Sequence, residues 1–426
     1  MLPVLGGIAL SVVFLLILGS QAPAGATISL VADSGGESFI YRFDPGASSF
    51  VFTFTVPTQN ANPWDVAVVS HTGHLDIWFT EPGVDCIGRL TYTDTNGYAF
   101  REYTLTAGSR PLNLALGGGF IWFTGAGGNY IGRLDPTTEQ IDEFHVPTAD
   151  SYPADLDIAP DGSIWFTEMA ADQVGHLIVT PTGEYTVAEY TSPITYAGRG
   201  RPYGIVIVEG SIYFAHPRAL TDCVTRFTPP ASWIDITGFI SGIPDEPYEL
   251  VVGSSGQIWG TERAGNGLSS FEVGTMPIVN RYVLSPTNSM PTGLVADASG
   301  NFWFTQWQAG QIGRLIPGAP PRKDYYALPL PGLTPTGIAA DSAGDMWVLA
   351  SRPHRVHLPV IMKSWQERVD ERFTGRSSSA RRLFCDYWVR GSACLRVVRW
   401  FGADGRFAAN VFVRGNTSDF CVGPCQ

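Results

Sequence analysis

The phrase Ile164-Trp165-Phe166-Thr167-Glu168 decides the fold, because close copies of it recur along the whole chain. The aromatic residue at its second position recurs at 78, 122, 165, 213, 259, 303 and 347, with spacings of 44, 43, 48, 46, 44 and 44 residues. Repeats of this length are typical of architectures in which each unit buries its apolar faces against its neighbours. The repeated aromatic side chains are therefore expected to form the core between units.

Each copy of the phrase is surrounded by three other short segments that also predict strands. A blade proline and an apolar strand precede it, as in Pro291-Thr292-Gly293-Leu294, and a turn such as Ser299-Gly300-Asn301 follows that strand. A third strand such as Ile312-Gly313-Arg314-Leu315 and a fourth such as residues 141–147 complete the unit. Four short antiparallel strands in about 45 residues are typical of one blade of a β-propeller.

The count of inner strands predicts an all-β, seven-bladed propeller of four-stranded antiparallel blades. These strands begin near residues 64, 112, 154, 203, 248, 292 and 336. The last repeat lacks outer strands, but the segment at 40–45 mirrors the segment at 131–136, so the N-terminal strands are expected to join the last blade and remove its open edge. Eight blades remain an alternative, because residues 28–32 compete with 346–349 for one strand position.

The two ends of the chain differ from the repeats. Residues 1–26 are interpreted as a signal peptide, with an apolar run at 4–18 and a small-residue cleavage site at 24–26. We therefore expect a secreted or extracytoplasmic protein; an uncleaved membrane anchor is the alternative. The propeller is assigned to 27–358. Residues 359–426 form either a tail or a small appendage that contains Cys385, Cys394, Cys421 and Cys425.

The charge balance limits the possible partners. The chain has 426 residues and a net charge of −12, which argues against nucleic acid as a partner, because phosphates require a basic surface. An acidic surface is compatible with cations or basic ligands. Nucleophile elbows, phosphate-binding loops and dinucleotide fingerprints are all lacking in the sequence. We expect a monomer.

The residues that follow each blade proline are candidate metal ligands. Antiparallel strand order brings them to the same mouth of the central channel, where propellers usually bind ligands. The position two residues after the proline carries Asp65, Asn113, Asp155 and Glu249 in four blades. Such an oxygen-rich ring suits Ca²⁺ or Mg²⁺, and a cation would relieve the repulsion between the carboxylates. The alternative is that these side chains face water or cap neighbouring backbone groups.

Two sets of residues are candidate contacts to a small molecule or a cell-surface ligand at the channel mouth. Trp64, Tyr203 and Tyr248 directly follow a blade proline. Glu81 and Gln306 belong to a second ring, which is predicted at the ends of the aromatic strands. A catalytic group here would be His216 acting with Glu168 or Glu262, although this signal is weak.

The Pro-x-Gly-Ile, Ile-Trp-Phe-Thr-Glu and Ile-Gly-Arg-Leu phrases resemble the blades of the streptogramin (virginiamycin B) lyase family over about residues 28–350. That resemblance implies a propeller that opens a macrocyclic ester by elimination, with a histidine base and Mg²⁺ held by acidic residues. The histidines of the family follow the blade proline in the last blades, where this chain carries Thr292 and Thr336. The acidic positions correspond here to Thr334 and to residues 350–352, which include no acid.

The sequence alone is therefore compatible with three functions. The first is a lyase-like propeller that has lost the elimination chemistry and binds a ligand or a surface partner. The second is a C–O lyase with a rearranged site. The third is a divalent-cation-dependent lactonase-type hydrolase, which the acidic ring favours.

Overall fold

The computed structural model describes residues 36–93, 97–191, 201–217, 223–229, 246–273 and 278–352, together with the backbone of strands at 27–29, 232–236, 359–361, 382–389, 393–401 and 407–415. The chain divides into two compact units, one formed by residues 1–35 and 354–426 and the other by residues 36–353. The predicted signal peptide at 1–26 lies outside the described residues. Where the chain is described, no helix has the length and apolar character needed to cross a membrane.

The strands are numbered in chain order. The first three are β1 (Thr27–Ser29), β2 (Ser38–Asp44) and β3 (Ser49–Thr55). Blade 1 contains β4 (Val66–His71), β5 (His74–Glu81), β6 (Cys86–Thr93) and β7 (Gly97–Thr104). Blade 2 contains β8 (Pro111–Gly117), β9 (Phe120–Gly125), β10 (Tyr130–Leu134) and β11 (Ile141–His145). Blade 3 contains β12 (Pro153–Ile158), β13 (Ile164–Glu168), β14 (Gln173–Val179) and β15 (Tyr185–Thr191).

The remaining blades follow the same plan. Blade 4 contains β16 (Ile205–Val208), β17 (Ser211–His216), β18 (Cys223–Thr228) and β19 (Ser232–Ile236). Blade 5 contains β20 (Pro247–Val252), β21 (Ile258–Glu262), β22 (Gly267–Phe271) and β23 (Ile278–Val283). Blade 6 contains β24 (Pro291–Ala296), β25 (Phe302–Gln306), β26 (Gln311–Ile316) and β27 (Arg322–Ala327). Blade 7 combines β28 (Thr334–Ala340) and β29 (Met346–Ser351) with β2 and β3.

The smaller unit has two sheets of its own. One pairs β1 with β30 (Pro359–Ile361), and the other contains β31 (Arg382–Val389), β32 (Ala393–Phe401) and β33 (Phe407–Gly415). Of residues 28–32, which competed for a blade position in the sequence, Ile28 and Ser29 lie in β1, where Ile28 pairs with Val360. The others lie outside the described residues.

The inner strands close a ring, because each contacts the inner strand of the next blade and β28 contacts β4. The prediction of a seven-bladed propeller is confirmed, and the eight-blade alternative is wrong. The N-terminal closure is confirmed as well: β2 pairs with β29, with Arg42 opposite Trp347. The Arg42 guanidinium donates to the Asp345 carboxylate at 2.8 Å and so ties the two ends of blade 7 together.

Packing explains why glycine and arginine recur on the third strand of the blades. In blades 1, 2, 3 and 6 the phenylalanine of the aromatic strand lies across a glycine on the third strand, as Phe123 does opposite Gly132. A Cβ atom at Gly132 would lie 2.1 Å from the Phe123 ring, so only glycine fits there. The repeated arginine lies over the neighbouring tryptophan, with Arg314 5.1 Å from the ring of Trp303. These arginines are therefore structural.

The blades are joined through the threonine of the repeated phrase. Thr80 accepts the backbone N–H of Asp65 in its own blade at 3.0 Å and donates its hydroxyl to the Leu112 carbonyl of the next blade at 2.6 Å. Equivalent inter-blade bonds are donated by Thr124, Thr167, Thr261 and Thr305. Blade 4 has Ala215 at this position, and there the Gly204 N–H donates directly to the Tyr248 carbonyl at 3.0 Å. We call this set of bonds the blade junction.

Deleting residues 27–57 is expected to abolish cooperative folding. The deletion removes β2 and β3, and blade 7 would then expose a strand edge and the apolar faces of its neighbours. Thermal and denaturant unfolding of the truncated chain would test this. A matched chain that starts at residue 36 retains both strands and should keep the transition. An unchanged transition in the shorter chain would contradict the closure.

Candidate functional site at the channel mouth

The inner strands begin irregularly at the channel mouth. In blades 2, 3, 5, 6 and 7 the register shifts within the first residues of the inner strand, as between Pro153 and Leu156. Such β-bulges bend a strand and redirect its side chains, and they are common beside binding sites. The residues two positions after the proline lie within these irregular stretches, which explains why their side chains gather at the mouth.

A cavity of about 340 Å³, which includes open solvent, lies at this mouth. It is lined by Trp64, Asp65, Asn113, Tyr248, Glu249, Thr292, Gly293, Leu294, Thr336, Gly337 and Ile338. The structure therefore brings together five of the residues proposed from sequence. Tyr203 and Asp155 lie directly beside this lining, through the contacts described next.

A hydrogen-bonded chain links four blades beneath the cavity. The Trp64 indole N–H donates to the Tyr203 hydroxyl at 2.9 Å, and Tyr203 is 3.4 Å from the Asn113 Oδ1 atom. The Asn113 amide donates to Asp155 Oδ1 at 2.8 Å. Tyr203 also stacks on Tyr248, with ring centroids 3.9 Å apart. The aromatic wall is therefore held in one orientation by polar contacts at its base.

Two of the four predicted cation ligands also cap the backbone. Asp65 Oδ2 accepts the Leu114 N–H of blade 2 at 3.0 Å, and Asp155 Oδ2 accepts the Ile205 N–H of blade 4 at 2.9 Å. These carboxylates reinforce the blade junction, as the alternative interpretation of the sequence allowed. Among the described residues, the Glu249 carboxyl has no hydrogen-bond partner.

The three carboxyl groups of this ring interact across the channel. Burial raises the pKa of Asp65 to about 6, against the opposing effect of its backbone donors. Burial raises the pKa of Asp155 to about 7, and the Asp65 charge adds to that effect. Burial, followed by the charges of Asp155 and Asp65, raises the pKa of Glu249 well above its usual range. An added positive charge would therefore stabilise the ionised form of all three groups.

The second predicted ring does not line the cavity. Glu81, Glu168, His216, Glu262 and Gln306 end their strands at the mouth, but their side chains are fully buried and lie away from the cavity lining. Side chains alternate between the two faces of a strand, so a residue that lies at the channel mouth does not necessarily direct its side chain into the cavity.

The contacts of these residues lie on outer strands and loops. Glu262 Oε2 accepts a hydrogen bond from Arg281 on β23 at 2.7 Å. The Gln306 amide donates to the Ser289 hydroxyl at 2.5 Å, and the His216 ring centroid is 5.0 Å from that of Phe214. The structure does not bring His216 together with Glu168 or Glu262 at the cavity.

Glu81 and Glu168 are buried, and each is affected by the charge of a half-buried glutamate on the outer strand of its own blade. Burial, followed by the charge of Glu102, raises the pKa of Glu81 to about 8. Burial, followed by the charge of Glu189, raises the pKa of Glu168 to about 8. Both carboxyls are therefore expected to be largely protonated at neutral pH.

Sequence reasoning missed some residues of the cavity wall. Thr292 and Thr336 line it and are buried, and the Thr336 hydroxyl donates to the Pro63 carbonyl at 2.8 Å. Their position directly after a blade proline was the available signal. Arg263 lies 4.4 Å from the ring of Tyr248, and nothing in the repeat pattern distinguishes it.

These observations define a seven-bladed propeller with an aromatic and acidic cavity at one mouth of its channel. The sequence profile of the Virginiamycin B lyase family matches residues 38–230 and 237–358. The chain belongs to this family. None of the curated protein sequences matches it.

Solved structures agree on the fold. A streptogramin B lyase structure is 23% identical with a TM-score of 0.60, over 74% of this chain and 97% of that one. The virginiamycin B lyase of Staphylococcus aureus, in its selenomethionine form, is 24% identical with a TM-score of 0.59, over 68% and 96%. A putative 6-phosphogluconolactonase from Bacteroides fragilis NCTC 9343 is 12% identical with a TM-score of 0.50, over 68% and 92%.

The buried acids predict that the propeller loses stability as the pH rises. The folded-state pKa values of Glu81 and Glu168 are about 8, and the ordinary value is 4.5. The folded state therefore holds two protons that the unfolded state releases, and the free energy of unfolding falls between about pH 4.5 and about pH 8. One pKa unit corresponds to about 1.36 kcal/mol, so each group contributes a loss of up to a few kcal/mol.

Glu81→Gln and Glu168→Gln should remove this slope, because a glutamine stays neutral at every pH. Denaturant unfolding at a series of pH values measures the effect. The exposed Glu184→Gln is the matched control and should leave the slope unchanged. Equal slopes in the wild type and the double variant would show that these carboxyls are not the source.

Proposed function

We propose that this chain is a ligand-binding propeller that takes a small molecule at the channel mouth, outside the cytoplasm, without the elimination chemistry of its family. The observation that carries the proposal is the chemistry of positions 292 and 336. Both are threonines on the cavity wall, and their hydroxyls donate to the backbone carbonyls of Met290 and Pro63. A threonine does not act as a general base near neutral pH.

The cavity wall supports binding of a ligand with a positively charged group. The aromatic surfaces of Trp64 and Tyr248 flank a carboxyl ring that gains from an added positive charge. Aromatic faces and carboxylates both attract cations when water is partly excluded. The apolar segment at 4–18 supports export of the protein.

The rearranged-lyase alternative gains no support from the arrangement of its residues. Glu262 is paired with Arg281 at 2.7 Å, and Glu168 and His216 are buried away from the cavity. A general base must reach the proton that it removes, directly or through one water molecule.

The chain is therefore expected to be inactive or very slow as a streptogramin lyase. Ring opening of the macrocyclic ester, followed by chromatography, should show turnover far below about 1 per second, which is a low value for an enzyme. Turnover at that rate would contradict the proposal. If His216→Gln then abolished it, the rearranged-lyase hypothesis would be correct instead.

A divalent cation at the mouth forms the second part of the proposal. The family resemblance implies cation ligands at positions 334 and 350–352, but the side chains present there do not suit a cation. Thr334 donates its hydroxyl to the Ser351 carbonyl, and Ala350 provides no ligand oxygen. The carboxyl groups of Asp65, Asp155 and Glu249 do fit, since each is destabilised as an anion without a counter-charge. They would hold Ca²⁺ or Mg²⁺ together with Asn113, and such an ion could polarise a bound carbonyl oxygen.

This acidic ring also favours a second candidate function, a divalent-cation-dependent lactonase-type hydrolase. A lactone screen with and without Ca²⁺ would separate the two functions. Cation-dependent hydrolysis would favour the hydrolase, and cation binding without hydrolysis would favour the binding propeller.

Adding Ca²⁺ or Mg²⁺ to metal-free protein is expected to raise the melting temperature. An ion that binds only the folded state at 100 times its Kd stabilises that state by about 2.7 kcal/mol. The double variant Asp65→Asn, Asp155→Asn should lose the response, because two anionic ligands are gone. Asp135→Asn, at a half-buried residue that caps a turn between β10 and β11, is the matched control and should keep the response. A melting curve that neither ion moves would refute the cation site.

A further inference from the structure

A second cluster of ligand-type side chains lies at the opposite end of blade 1. His71 ends β4 and His74 begins β5, and they face each other across a two-residue turn. Gly73 at the second turn position has φ of +88°, which a tight turn of this type requires. Asp76 follows His74 by two residues, so strand alternation places it on the same face of the sheet. We call these three residues the hairpin cluster.

The potential ligand atoms of the hairpin cluster converge. His71 Nε2 lies 3.3 Å from Asp76 Oδ2, and His74 Nε2 lies 3.9 Å from the same oxygen. The three ligand atoms all lie within 4.8 Å of one another. Zinc with bonds of about 2.0–2.1 Å in tetrahedral geometry places its ligand atoms about 3.3 Å apart, which is close to the separations seen here. The two imidazole rings are stacked with centroids 4.4 Å apart, so they would have to rotate to direct both nitrogens at one ion.

The carboxylate is also oriented in the manner of a metal ligand. Its other oxygen, Oδ1, accepts the Thr91 hydroxyl at 2.6 Å, which leaves Oδ2 directed to the two imidazoles. In metal sites, a hydrogen bond to the part of a ligand that does not contact the metal fixes the orientation of that ligand. Asp76 is largely buried, at 11% side-chain exposure, while His71 and His74 are 42% and 38% exposed. A metal would thus be held at a solvent-accessible edge with a position open to water.

The equivalent position of another blade shows the contrast. Asp345 in blade 7 lies two residues before Trp347, as Asp76 lies two residues before Trp78, and its Oδ2 atom accepts the Arg42 guanidinium at 2.8 Å. Asp76 has no arginine or lysine partner among the described residues, where its contacts are the Thr91 hydroxyl and the two imidazoles.

We propose that His71, His74 and Asp76 form a binding site for a borderline transition-metal ion, best suited to Zn²⁺, at the channel end opposite the ligand cavity. Two imidazoles and one carboxylate with a remaining open position match the ligand type and number of zinc sites that keep one water molecule. The inference does not depend on the proposed function, since it involves different residues at the other end of the blade.

Calorimetric titration of the full chain, without a histidine tag, with Zn²⁺ in the presence of excess Mg²⁺ tests the site. We expect one equivalent to bind, and Co²⁺ to give the visible absorption of a low-symmetry site. His74→Asn and Asp76→Asn should each weaken binding by at least about 10-fold, and Thr91→Val should weaken it by about 10-fold through the carboxylate. These substitutions lie at a hairpin end, and circular dichroism checks that each variant is folded.

Two controls make the result specific. His145→Asn removes an exposed histidine of blade 2 and should leave Zn²⁺ affinity unchanged. The Asp65→Asn, Asp155→Asn variant should also bind Zn²⁺ normally, which separates this site from the channel mouth. Wild-type affinity in His74→Asn, or an equal loss in His145→Asn, would overturn the proposal. A histidine–aspartate ion pair without metal affinity would give no Zn²⁺ heat and no Co²⁺ absorption, and would overturn it too.

Discussion

The rest of this structure depends on a buried threonine hydroxyl that joins each blade to the next. In five blades it accepts a backbone N–H within its own blade and donates to a carbonyl of the following one, as Thr305 does with Gly293 and Thr336. A typical hydrogen bond contributes about 0.5–1.5 kcal/mol, and a buried partner left unsatisfied costs about 1–3 kcal/mol. The blade junction therefore sets the spacing of the inner strands as well as contributing to stability.

The two junctions without this threonine show the same constraint. Gly204 approaches blade 5 so closely that a Cβ atom there would lie 2.2 Å from the Tyr248 carbonyl oxygen. At the closing junction, the Thr336 hydroxyl donates to Pro63 instead. In each of these two junctions a residue of the cavity wall, Tyr248 or Thr336, takes part in the hydrogen bond between blades. Thr336 therefore has a structural role.

The junction also accounts for the electrostatics of the channel mouth. Asp65 and Asp155 accept N–H groups from the next blade, so their carboxylates are held near the axis, where burial and mutual repulsion raise their pKa values to about 6 and about 7. Glu249 completes the ring without hydrogen-bonded partners among the described residues. Because an added positive charge would stabilise the ionised form of this ring, the construction of the fold supports the proposed binding of a positively charged group.

The sequence by itself determined the strand order within a blade and the closure of the ring, because these follow from the repeat and from a mirrored N-terminal phrase. It favoured seven blades over eight, and the structure decided between them by pairing Ile28 with Val360 outside the ring. The sequence also predicted that the candidate residues lie at one mouth of the channel, since antiparallel strand order places every blade proline at that mouth. Only the tertiary structure decided which side chains face the channel. Asn113 and Glu249 reach the cavity from irregular strand starts, whereas Glu262 contacts an outer strand and Gln306 contacts a loop. The direction of a side chain depends on local bulges and on the strands packed beside it, and a one-dimensional repeat does not record either of these.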